Sequence, residues 1–246
     1  AITFKRLKIT SPSASGGSNW AVGKSYDITW TRGTLTTGTI KIEYSSDGGG
    51  SWNEIGETAA GSVYSWDISS SLTRTTNGRI RIYEVGHANV ADTGRLTISK
   101  IELTSPNGGE KLQVGRNWTI TWTAENITGT IKIEYRKSPT DSWTQIASGL
   151  NASAGNYEWN NIPAGAVSNV MQVRVVDESD ASGKRSDESD AEVVVKQLDV
   201  SAPTAGITIR AGGQYTIVWT KSANVARVNI MYSSNGGLTY GAAFAT

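Results

Sequence analysis

The chain of 246 residues contains no cysteine. No disulfide framework and no thiolate metal site can form, so any fold must hold through its apolar core alone. Its one histidine, His87, lies in a stretch rich in Gly and Asn, and no G-x-S-x-G elbow occurs. A multi-histidine metal centre is therefore excluded, and a histidine-based nucleophilic triad is not expected. Charge of either sign is in short supply: 23 basic and 22 acidic residues leave a net +1, which offers no field for nucleic acid or an anionic membrane. No apolar run approaches the ~20 residues that span a bilayer. Phenylalanine (2) and proline (5) are also scarce. What the chain has instead is Thr, Ser and Gly with nine Trp and nine Tyr, a composition typical of exposed, strand-rich extracellular modules.

The sequence says one thing three times. LKITSP from Leu7, IELTSP from Ile101 and LDVSAP from Leu198 are each followed by YDITW ending at Trp30, WTITW ending at Trp122 and YTIVW ending at Trp219. IKIEY (Ile40 to Tyr44) returns at Ile131 to Tyr135 and as VNIMY at Val228 to Tyr232. A period of 91 to 97 residues belongs to whole domains in tandem. The expected organisation is residues 1–6 as the last strand of an upstream repeat, domains at 7–99 and 100–197, and the first half of a third at 198–246.

Period-two alternation marks the strands: Tyr26, Ile28 and Trp30 share one face, as do Ile40, Ile42 and Tyr44. Further strands are expected at Trp52–Ile55, Tyr64–Ile68, Ile80–Val85 and Leu96–Ile98, recurring at Trp143–Ile146, Tyr157–Trp159, Met171–Val176 and Val193–Val195. About seven short strands per repeat, split by Gly, Asn, Asp and Ser turns, read as an all-β tandem of immunoglobulin-like sandwiches, end to end, the third incomplete. Trp30, Trp122 and Trp219 are expected in the cores. Trp20, Trp66 and Trp159 alternate with polar residues or align with apolar ones, which also favours burial. One or two residues separate consecutive repeats and span well under ~10 Å, so the sandwiches must abut as a semi-rigid rod. The half repeat is expected to be completed by continuation beyond Thr246 or by strands from another subunit.

SSDGGGSW (Ser45 to Trp52) matches the Asp-box of sialidase-type propellers. The long period and the lack of an arginine set for a carboxylate substrate leave it a hairpin turn, with Asp47 accepting backbone N–H groups. The run SPNGGE (Ser105 to Glu110), Gly115, WTITW (Trp118 to Trp122), IKIEY and Trp143 resembles the Ig-like repeat of yeast cell-wall glucan-assembly and Ser/Thr-rich GPI-anchored proteins, a type found also in bacterial secreted and S-layer-like proteins. The resemblance implies an extracellular, non-catalytic module.

Two DESD tetrads flank Ala181–Ser186, and their Asp177, Asp180, Asp187 and Asp190 form a candidate calcium set, since calcium takes about six to eight oxygens. No other cofactor is called for. Asn117, Asn126 and Asn151 lie in glycosylation sequons, and Asn126, in a loop, is the better acceptor. Glu43 and Glu134 sit at equivalent, outward positions and are read as surface residues. The functional expectation is a structural segment of an extracellular, cell-surface protein, such as an S-layer, sheath, filament or stalk. Its partners would be copies of itself, other surface subunits or cell-wall polysaccharide. The alternative is a carbohydrate-binding or adhesive module accessory to an enzyme elsewhere.

Overall fold

A computed structural model describes residues 7–33, 38–59, 61–87 and 92–243. The strand expected at residues 1–6 lies outside the described residues. The first repeat contributes β1 (Leu7–Ser11), β2 (Ser18–Ala21), β3 (Ser25–Arg32), β4 (Ile40–Ser45), β5 (Asn53–Thr58), β6 (Val63–Asp67), β7 (Thr75–Glu84) and β8 (Asp92–Ser105). The second adds β9 (Lys111–Gln113), β10 (Trp118–Glu125), β11 (Thr130–Arg136), β12 (Thr144–Asn151), β13 (Asn156–Trp159), β14 (Ser168–Asp177), β15 (Ser186–Glu188) and β16 (Val193–Lys196). β17 (Leu198–Ala202) and β18 (Val218–Lys221) belong to the third.

In the first sandwich one layer is ordered β1-β3-β6 and the other β5-β4-β7-β8, with β2 lying parallel on β8. The second repeats the plan: β8-β10-β13 faces β12-β11-β14-β16, and β9 lies parallel on β16. These are two immunoglobulin-like sandwiches, and their cores come from the alternation read in the sequence. Ile28, Ile40, Ile42, Ile80 and Ile82 fill the first, and Ile120, Ile131, Ile133, Met171 and Val173 the second. Trp30 and Trp122 retain 2% and 3% of their surface. Trp20, Trp66 and Trp159 are buried as well. Equivalent ring pairs close both cores, Tyr44 on Trp66 at 5.0 Å and Tyr135 on Trp159 at 5.3 Å.

The repeat is preserved down to its register. Ile9 stands opposite Trp30, Leu103 opposite Trp122 and Val200 opposite Trp219, and each pair is followed by a bulge. The bulge residues Thr10 and Thr104 bond the hydroxyls of Thr29 and Thr121, both at 2.7 Å.

Two expectations need correction. Trp219 is only half-buried, and Val228–Tyr232 forms no strand beyond a single bridge at Ile230. The physical reason is the same for both. β4 and β11 are held between neighbours from the second half of their repeats, and residues 198–243 form a two-stranded sheet with no such neighbours among the described residues. Glu43 and Glu134 are likewise not surface residues, with 9% and 6% exposure. They point outward, but long side chains from adjacent strands lie over them. Glu43 pairs with Arg81 and accepts the Tyr83 hydroxyl at 3.0 Å. Glu134 takes Lys132 at 2.8 Å and Arg174 at 2.7 Å. Burial pushes the Glu134 carboxyl up, but the Lys132 and Arg174 hydrogen bonds outweigh it and hold it below the usual range.

Close packing inside the first sandwich makes a test. A Cβ at Gly94 would lie 2.1 Å from the Pro12 carbonyl oxygen. Gly94→Ala is expected to destabilise that sandwich by about 1–3 kcal/mol, lowering its midpoint in urea followed by amide NMR while the second sandwich is unchanged.

Candidate functional site at the domain junction

Among the described residues, the feature that distinguishes this chain is where its sandwiches meet. Strand β8 serves both. Residues 92–98 pair with β7 and 96–99 with β2, whereas 100–105 pair with β10. The strand crosses the expected boundary between residues 99 and 100 without a break, so the linker is a length of paired strand. At the next junction Gln197 alone separates β16 from β17. The local cause is plain in RLTISKIELTS: alternating β-branched and aliphatic residues with no Gly, Pro or Asn to turn the chain.

Side chains fasten the seam around β8. Asn126, in a left-handed conformation at φ 57° just after β10, donates its Nδ2 to the Ile98 carbonyl at 2.9 Å. Its own carbonyl accepts from Asn19 Nδ2 at 3.3 Å. From the loop after β14, Arg185 Nη1 donates to the Asn19 carbonyl at 3.0 Å. Lys184 Nζ reaches the Ser25 carbonyl at 2.5 Å and stands 4.7 Å from the Tyr26 ring. Arg74 and Glu125 pair across the seam at 3.0 Å. A cleft of about 210 Å³ remains beside it, lined among others by Lys24, Lys100, Glu102, Asp187 and Asp190.

The four aspartates of the expected calcium set are dispersed, and among the described residues no three His, Asp or Glu side chains are placed to hold a metal ion. Each has other work. Asp177 is buried against Arg185 at 2.7 Å and accepts the Ser179 N–H and hydroxyl. Asp180 closes the same loop on Ser182 and on the Arg185 N–H. Asp190 accepts from Asn107 Nδ2 at 2.8 Å. Asp187 accepts the Leu103 N–H at 2.8 Å, and Asp92 accepts the Ile9 N–H at 2.8 Å in the first repeat. This aspartate bridge between the last and first strands of a sandwich was missed in the sequence. The recurrence of Asp92 and Asp187 at the repeat period was the available signal.

The preferred sequon also changes. Asn126 commits its Nδ2, the atom an N-glycan takes, to the seam. Asn117 is exposed and donates to Glu158 at 2.7 Å, and Asn151 is exposed with its side-chain oxygen accepting the Ser153 N–H at 3.0 Å. The Asp-box is a turn: Asp47 accepts the hydroxyls of Ser45 and Ser51 and the Ser51 N–H, bonds that hold its carboxyl well below the usual range. Asn235 makes the equivalent bond to Thr239 N–H at 3.0 Å in the third repeat.

No protein-family model matches the chain, and no curated protein matches it by sequence. In three dimensions it is similar to fibronectin(III)-like modules of Clostridium thermocellum CbhA, at 20% identity over 78% of this chain and 95% of that one, TM-score 0.28. It is also similar to a marsupial T cell receptor, at 10% identity over 81% and 76%, TM-score 0.33. A third likeness is to Dpr2 Ig1-Ig2 in complex with DIP-Theta Ig1-Ig3, at 10% identity over 79% and 69%, TM-score 0.25. None superposes closely enough to carry an argument, and the fold stands on the strand pairing above.

Burial pushes the Asp187 carboxyl up, the Leu103 N–H pulls it down, and the nearby Asp190 charge raises it further. A carboxylate whose pKa is raised on folding favours the folded state below its unfolded pKa and loses that contribution as pH rises through the folded value. Asp187→Asn keeps an acceptor for Leu103 and removes the half-buried charge. It is expected to melt above the unsubstituted protein at pH 7, the gap closing as pH falls to about 4. A gap that widens on acidification would contradict this assignment.

Proposed function

We propose that this chain is a non-catalytic spacer, a semi-rigid array of Ig-like sandwiches within a large extracellular surface protein such as a sheath, filament, stalk or S-layer. The observation that carries the reading is β8, one strand of 14 residues shared by two sandwiches. A flexible tether would put Gly, Ser or Pro there. This junction instead has ladder hydrogen bonds on both sides of the boundary and side-chain bonds across it. The resemblance to cell-wall and S-layer-like repeats supports the extracellular setting, with copies of itself or other surface subunits as partners.

The disposition of tryptophan favours this reading over a carbohydrate-binding module. Sugar-binding surfaces present exposed aromatic planes, but all nine Trp here are buried or half-buried. The two on outward sheet faces are covered by cations: Arg81 stands 4.4 Å from the Trp52 ring, and Arg136 and Arg174 stand 4.4 and 4.1 Å from Trp143. Glu43 and Glu134, each tied to an arginine, support a non-catalytic role.

Small-angle scattering of the whole chain tests the proposal. The expected profile is reproduced by one fixed orientation of the two sandwiches. A profile that requires a broad ensemble of orientations would remove the spacer reading, and saturable binding on a polysaccharide array would replace it with the carbohydrate-binding one.

A further inference from the structure

The two junctions differ in most of their side-chain contacts but share one. At the first, Asn126 Nδ2 donates to the Ile98 carbonyl at 2.9 Å. At the second, Asn224 Nδ2 donates to the Val195 carbonyl at 3.0 Å. Ile98 lies three residues before Ile101, which opens the second repeat, and Val195 lies three before Leu198, which opens the third. The carbonyl that is held therefore occupies the same place in the last strand of the preceding repeat. The asparagines themselves are out of step, four residues after Trp122 and five after Trp219. The loops absorb the difference. Asn126 adopts φ 57°, whereas the other loop turns through a Val225 N–H to Ser222 carbonyl bond at 3.1 Å. Two loops of different construction deliver the same donor to the same acceptor. Asn224 reaches further, to the Ser168 carbonyl at 3.3 Å and Asn169 Oδ1 at 3.1 Å.

We propose that Asn126 and Asn224 are the positioning residues of the array, each fixing the rotation of its own repeat on the one before it. This rests on the spacer reading and adds the residues that enforce it. The backbone ladder of β8 holds the two sandwiches together but leaves them free to twist about the strand, because strands tolerate a range of twist. A bond from the loop after the tryptophan strand, off the β8 axis, restricts that freedom at both junctions, alongside the Arg74–Glu125, Lys184–Ser25 and Arg185–Asn19 contacts of the first. The chemistry selects asparagine: the acceptor is a carbonyl, so a donor is needed on a side chain short enough to stay in the seam, and at Asn126 also on a backbone that tolerates the left-handed region.

Because the chain has no cysteine, spin labels can be placed without background. Lys8→Cys on β1 and Thr119→Cys on β10, both exposed, give one interdomain distance by pulsed electron resonance in the full chain. Asn126→Asp keeps the shape and the left-handed backbone but loses the donor, and Asn126→Gly keeps only the backbone freedom. The expected result is a narrow distribution in the parent that widens about twofold in both variants, with the thermal midpoint of each sandwich moving by less than about 3 °C. If the parent is narrow and both variants stay narrow, the positioning role is overturned while the spacer reading stands. A broad parent distribution overturns both.

Discussion

The structure depends on the commitment of a single strand to two cores. Along β8, the backbone groups of residues 92–99 are used by β7 and β2, and those of 100–105 by β10. Backbone N–H and C=O groups in a sheet cannot be left unpaired without cost. The second sandwich must therefore begin where the first ends. Other features follow from that. The layer β5-β4-β7-β8 of the first sandwich continues through β8 into β10 and β13 of the second, so one sheet passes from domain to domain. The Asp187 bridge to Leu103 ties the far end of β8 to the last strands of the second sandwich. The Glu178–Arg185 loop is brought close enough to the first sandwich for Lys184 and Arg185 to bond its backbone.

Much of this was legible in the chain. Period-two alternation placed Trp30 and Trp122 inside, and the one or two residues between repeats announced that the sandwiches abut. What was not legible depends on what lies above or across from a residue. Alternation correctly turned Glu43 and Glu134 outward, but it carries no information about Arg81 or Arg174 arriving from a neighbouring strand to bury them. The DESD tetrads looked like one acidic cluster because they are close in sequence. In space, Asp177 is matched by Arg185 within its own loop, while Asp187 stands opposite Val175 and turns toward β8. Asn126 was misread for a related reason: a sequon is a local pattern, and the Ile98 carbonyl belongs to a different repeat.

The third repeat separates local from long-range causes. Its tight turn at Ser233–Thr239 closes as in the first repeat, and Val200 meets Trp219 in the shared register. Both need only nearby chain. The apolar side chains lack cover: Val200 and Tyr232 retain 63% and 69% of their surface. Equivalent strand motifs thus bury their apolar face only when the second layer is present, as expected where tertiary packing rather than propensity supplies most of the stability.

The shared strand also sets how the pair of sandwiches meets a pull along its length. Force applied at the two ends of β8 runs parallel to the strand and across the ladder bonds, which in its antiparallel pairs with β7 and β10 stand perpendicular to it. Those bonds are then loaded together in shear, and none can be peeled open one at a time. A tether of loose residues would have taken up extension before the force on the cores rose. Here tension enters both cores at once, so the mechanical limit of the joint is the limit of the sandwiches themselves.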